Sequence, residues 1–208
     1  MALPGPARPP RALAQAEATE SGRPLFGVPV RLDVSCVFGL ALTTWTLADA
    51  VLPLAADGRP VTAYWAAGGL TALALLASVA MHEMAHGLAA RRAGIRVRRV
   101  TLSLFGGATV LDGRVPTARA QLTIAMAGPL ASLALAVGAA IVHVTLVEIG
   151  GDELGVVASA VVAVANLGIA AINLFPAPPL DGGLVLYAAL ARLPWTRSHA
   201  AGVAAAAG

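Results

Sequence analysis

Four long stretches almost free of ionisable side chains constrain this chain more than any other feature: Leu32 to Leu54, Thr62 to Ala90, Ala120 to Val147 and Gly155 to Phe175. At 1.5 Å per residue in a helix, each is long enough to cross a hydrocarbon core of about 30 Å. Backbone polar groups in lipid must be satisfied within the segment itself, so the stretches predict four transmembrane helices. A composition of 58% apolar and 12% charged residues, with a mean hydropathy of +0.78, is too apolar for an ordinary soluble domain. The formal charge of +3 does not point to nucleic acid: the sequence has no lysine, and its fourteen arginines gather between the apolar stretches, as membrane topology requires. A single cysteine, Cys36, rules out an internal disulfide and a cysteine-based metal cluster.

The spans divide the chain into three parts. Residues 1–29, rich in Pro, Ala and Arg, are expected to form a flexible cytoplasmic tail; residues 30–193 form the transmembrane core. Residues 194–208 are too short to cross and are expected to begin a truncated further span. Five arginines fall in the nine residues from Arg91 to Arg99, immediately after the second span, and Gly94 is a plausible helix stop. Placing the tail together with Arg31, residues 91–119 and the residues after 190 inside puts thirteen of fourteen arginines in the cytoplasm, with Arg59 outside. Between spans two and three, Val97 to Val110 is rich in β-branched residues and carries Phe105-Gly106-Gly107, which predicts a membrane-associated strand or hairpin. Gly128-Pro129 is expected to interrupt the third span, and Gly128 and Ser132, four apart, to allow close helix packing.

Near the end of the second span stands His82-Glu83-Met84-Ala85-His86. Two histidines four apart share one helix face and can hold one metal ion, while Glu83 can reach an attacking water without joining the coordination shell. Ionisable groups at the end of an apolar span are costly, and their presence points to function. A hydrolytic zinc site takes three protein ligands and keeps one open position. The candidates for the third are Asp33, Asp49, Asp112, His143 and Asp181. Asp181 is favoured because it lies at the expected membrane depth of His86, just after three prolines in four residues (Pro176, Pro178, Pro179) that break the helix, with Gly182-Gly183 following. His143 is read as a hydrogen-bonded or interfacial histidine.

His82-Glu83-Met84-Ala85-His86, together with Asn173-x-x-Pro176-x-Pro178-x-x-Asp181-Gly182, resembles the site-2 protease family of intramembrane zinc metalloproteases. Phe105-Gly106-Gly107 is similar to the family's glycine-bearing strand, and Gly128-Pro129 fits its third core helix. The resemblance spans about residues 62–193. It implies that His82, His86 and Asp181 bind Zn2+, that Glu83 is the catalytic carboxylate, and that Asn173 positions substrate or the oxyanion. No PDZ-like insertion is visible, which places the chain near the compact branch, and no regulatory domain is expected within it.

These readings converge on an all-α polytopic membrane protein with a short β element between helices two and three. The function expected of it is zinc-dependent hydrolysis of a peptide bond in or near a transmembrane segment of another protein, that is, regulated intramembrane proteolysis. Its partners are then the lipid bilayer, a transmembrane protein substrate and, open on this reading, further copies of itself. Its location is a bacterial plasma membrane, with the N-terminus and active site toward the cytoplasm. A membrane zinc transporter and an inactive helix-binding relative are the alternatives.

Overall fold

The computed structural model describes residues 23–25, 27–104, 106–113 and 115–191. Two short strands, β1 (Arg23–Leu25) and β2 (Val28–Leu32), precede the first helix, α1 (Ser35–Ala55). Then follow α2 (Val61–Arg92), the hairpin β3 (Arg96–Ser103) and β4 (Gly106–Asp112), α3 (Ala118–Glu148), α4 (Glu153–Asn173) and a shorter α5 (Asp181–Leu190). The four helices α1 to α4 are each long and apolar enough to cross a membrane. Phe38, Val137, Ile141 and Val164 remain exposed on them. Such contiguous apolar surface is a liability in water and a suitable lipid face in a bilayer. The protein is a multi-pass membrane protein.

The boundaries differ from the sequence reading in three places, each for a local reason. Span one starts at Ser35 rather than Leu32, because Leu32 belongs to β2. It also widens into a π-helical turn over Leu47–Val51, just before Pro53, whose missing N–H cannot continue the ordinary ladder. Span three is not interrupted: α3 runs unbroken from Ala118 to Glu148 with Pro129 inside it. An internal proline forgoes one backbone bond, to Ala125 here, which a helix packed against neighbours can tolerate.

The third difference concerns the tail. The expected hairpin is present, but it is half of a four-stranded sheet in the order β1-β2-β3-β4, with β2 parallel to β3 and the other pairs antiparallel. Residues 23–25 and 28–29, assigned to a tail from sequence, therefore lie in the sheet. Pro24 and Pro29, which face each other across β1 and β2, hide the strands from pattern reading because proline normally argues against one. The remaining tail residues 1–22 and the segment 194–208 lie outside the described residues.

The sheet rests on α2. Val28, Val100, Leu102, Met84, Ala90 and Ile124 form one buried cluster between them. Val97 and Val100 are three apart and would face opposite sides of a regular strand; a register shift between Val97 and Arg99 turns both inward. The helix ends where Gly94 takes φ +77°, with Ile95 N–H donating to Ala90 O and Gly94 N–H to Arg91 O. This pattern satisfies the last carbonyls and needs a residue free of Cβ strain. At the opposite end of the bundle, Arg59 pairs with Asp152 at 2.9 Å and with Glu153 at 3.8 Å, so the α1–α2 and α3–α4 loops share one side. The start of α5 follows the end of α4 and so falls at the other end, with the C-terminal half of α2.

Candidate metal centre

His82, Glu83 and His86 are 4%, 8% and 7% exposed, which is rare for ionisable groups without partners. Each has one. His82 and His86 lie one helical turn apart on α2, and the first residue of α5, Asp181, meets both: its Oδ2 is 3.2 Å from His82 Nε2 and 3.1 Å from His86 Nε2. The two Nε2 atoms are 3.2 Å apart. Three ligand atoms from segments almost a hundred residues apart thus form a near-equilateral triangle, and no other such group of metal-ligating side chains occurs among the described residues.

The opposite ring nitrogens fix what these atoms are. His86 Nδ1 lies 2.7 Å from the Ile124 carbonyl, which can only accept, so Nδ1 carries the proton and Nε2 of the neutral ring presents a lone pair. His82 Nδ1 is 2.9 Å from Ser132 Oγ, a hydrogen bond that holds the ring's orientation. Lone pairs of imidazole and carboxylate turned toward one another call for a cation between them. The spacing fits zinc: a tetrahedron with bonds of about 2.0 Å has edges of about 3.3 Å. Space is reserved as well. A Cβ at Gly128 would overlap His86 Nε2 and stand 2.5 Å from His82 Nε2, so the backbone of α3 approaches the site only because that position is glycine.

Glu83 stands apart from the triangle, on strand β4's side of α2. Thr109 Oγ1 lies 2.7 Å from Glu83 Oε2 and 3.2 Å from its backbone carbonyl, within donating distance of both. A Cβ at Gly107 would overlap Glu83 Cγ, so β4 lies directly along this side chain. The arrangement leaves a carboxylate beside the metal-binding atoms but outside their ring, which suits proton transfer better than ligation.

The other candidates for a third ligand fall away. Asp33 is exposed at the start of α1, where the Ser35 hydroxyl and N–H hold its carboxyl below the usual range. Asp49 and Asp112 are exposed. His143 Nδ1 donates to Val156 O at 2.9 Å, linking α3 to α4. Asn166 and Asn173, seven apart on α4, part company: Asn166 is fully buried and donates to Ser78 Oγ, whereas the half-buried Asn173 donates to Ile169 O within its own helix. Phe105 lies outside the described residues. Sequence reasoning missed Ser132, Thr109 and the role of Gly128. Gly128 and Ser132 carried a usable signal in their four-residue spacing, which it took as helix packing alone.

Residues 70–155 match peptidase family M50. The chain is 40% identical over 193 residues to Rip3 of Mycobacterium tuberculosis, covering 91% of this chain and 48% of that protein. It is 27% identical over 169 residues to zinc metalloprotease MJ0392 of Methanocaldococcus jannaschii, covering 81% of this chain and 44% of that one. It thus spans about half the length of these relatives. The solved site-2 protease from Methanocaldococcus jannaschii superposes with a TM-score of 0.58 at 25% identity, over 88% of this chain and 76% of that one. With the helix-borne histidine pair and the distant aspartate brought to one point, these similarities mean that the chain belongs to the site-2 protease family, peptidase family M50.

Proposed function

We propose that this chain is the membrane core of a zinc endopeptidase that hydrolyses a peptide bond in or near a transmembrane segment of a protein substrate. The observation that carries the reading is the convergence of His82, His86 and Asp181 on one point with a separate carboxylate, Glu83, alongside. His82, His86 and Asp181 would hold Zn2+, which when bound supplies Lewis acidity that makes water a nucleophile near neutral pH and polarises the scissile carbonyl. Glu83 takes the proton of the attacking water and returns it to the leaving nitrogen. Thr109, through its hydrogen bond, keeps the Glu83 carboxylate aimed while it exchanges that proton. The Ile124 carbonyl keeps His86 in one tautomer and Ser132 keeps the His82 ring in one orientation, as partners of metal-ligating histidines do.

A membrane-spanning substrate hides its carbonyls in its own helix and must unwind before attack. Support for where the opened segment goes comes from β4, which among the described residues is the last strand of the sheet and runs along Glu83. An extended peptide can add to such a strand through main-chain hydrogen bonds. Asn173 closes α4 just before the proline-rich segment leading to Asp181; turned from Ile169, its amide would position the substrate or the oxyanion. The arginine distribution supports a plasma-membrane orientation with the N-terminus and this site toward the cytoplasm. Regulated intramembrane proteolysis is the process such a site would serve.

The test is Glu83→Gln in the purified full chain, reconstituted with a tethered membrane substrate. The proposal expects a full zinc equivalent and no cleavage; unchanged cleavage would remove the protease reading. Zinc flux across proteoliposomes that Glu83→Gln abolishes would instead identify a metal carrier, and a wild-type zinc content far below one per chain would favour an inactive relative.

A further inference from the structure

Away from the metal centre, a cleft of about 700 Å³ opens where α2 meets the sheet. Its walls include Arg91 at the last turn of α2, Arg96, Arg98 and Arg99 of β3, and Asp112 of β4. Four arginines and one aspartate thus line it. Topology alone calls for positive charge beyond the end of a span, but it is indifferent to whether that charge lines a concavity. Here the concavity is built. Gly27, at φ +75°, brings the β1–β2 turn against the Arg91 guanidinium, where a Cβ would overlap it. The shift between Val97 and Arg99 also moves Arg98 and Arg99 out of simple alternation along β3.

Depth decides what such a cleft meets. The 32 residues of α2 make a helix about 48 Å long, against a hydrocarbon core of about 30 Å and a full bilayer of about 40–45 Å. For a centred helix, His86 then lies about 14 Å from the midplane, at the core's edge, and Arg91 about 22 Å away, level with the headgroups. Arginine presents a planar fork matched to phosphate oxygens, and the volume lies within the range of small-molecule sites.

We propose that this cleft binds a phosphate group, and that its source is the headgroup of an anionic phospholipid in the leaflet beside the metal centre. The bound phosphodiester would tie the end of α2 to β3, only five residues from His86, and so brace the helix that carries both histidines.

The experiment is lipid retention by the full chain, purified from vesicles of phosphatidylcholine with phosphatidylglycerol and read by native mass spectrometry. The expected result is selective retention of phosphatidylglycerol by wild type. Arg96→Gln/Arg99→Gln should weaken it about five-fold per arginine removed, while Arg59→Gln at the far end of the bundle leaves it unchanged. A parallel arm measures thermal unfolding of wild type in detergent with glycerol phosphate or inorganic phosphate. Stabilisation there equal to that by phosphatidylglycerol would keep the phosphate site but overturn the lipid source. Should the double variant fail to fold, the wild-type comparison still decides: equal retention of the neutral and anionic lipids, with no stabilisation by soluble phosphate, overturns the proposal entirely.

Discussion

Gly128→Ala adds a single methyl group to α3, and the structure says where that methyl goes. It would overlap His86 Nε2, stand 2.5 Å from His82 Nε2 and lie 2.7 Å from His86 Cε1. Ordinary contact for such atoms is about 3.5 Å, so each ring must retreat by about 1 Å or α3 must move away. A metal site tolerates about 0.2 Å in its bond lengths, so two of the three ligands leave bonding range. Disturbing the partners of metal ligands alone costs 10–100-fold in affinity; displacing two ligands should cost at least about 100-fold, or roughly 2.7 kcal/mol. Alanine is meanwhile the better helix former by about 1 kcal/mol, so α3 itself should not be weakened. The assay is zinc per chain by elemental analysis after dialysis against a zinc buffer, alongside helicity by circular dichroism. The expected outcome is near-wild-type helicity with almost no zinc. A Gly128→Ala protein that keeps one zinc per chain and cleaves normally would refute the idea that this glycine clears the coordination space.

Further expectations follow from the partners of the same groups. Ser132→Ala removes the contact at 2.9 Å to His82 Nδ1 and should weaken zinc binding 10–100-fold in competition with a chromogenic chelator. Thr109→Val keeps shape but removes the hydroxyl beside Glu83, so zinc content should hold while the cleavage rate falls roughly ten-fold or more; unchanged kcat would contradict the positioning role. Stripping the metal with a chelator should lower the thermal unfolding midpoint, and restoring zinc should recover it, because binding to the native state alone stabilises that state.

The architecture was legible because its cause is local and repetitive. A span that must satisfy its own backbone in lipid shows itself as an apolar run, and all four helices follow such runs. His82, Glu83 and His86 were equally legible, since an i, i+4 pair on a helix has a fixed geometry. Asp181 required more: nothing in its own segment says that the chain turns back to meet α2, and the link came through membrane depth and the second motif. The strands at Arg23–Leu25 and Val28–Leu32 were hidden because two prolines mask their pattern and because parallel pairing of β2 with β3 is a contact across about seventy residues. Thr109 and Ser132 were hidden for a different reason. A lone hydroxyl in an apolar segment looks the same whether it bonds its own helix, as Thr71 and Ser78 do, or turns to a carboxylate or imidazole on another element.

Anomalous diffraction at the zinc edge from crystals of the zinc-loaded chain addresses the central claim most directly. One strong peak is predicted about 2.0–2.2 Å from His82 Nε2, His86 Nε2 and an Asp181 carboxylate oxygen, with a coordination position left over and Glu83 beyond bonding distance. A peak elsewhere, or an Asp181 carboxylate turned away from a zinc held by the two histidines, would contradict it.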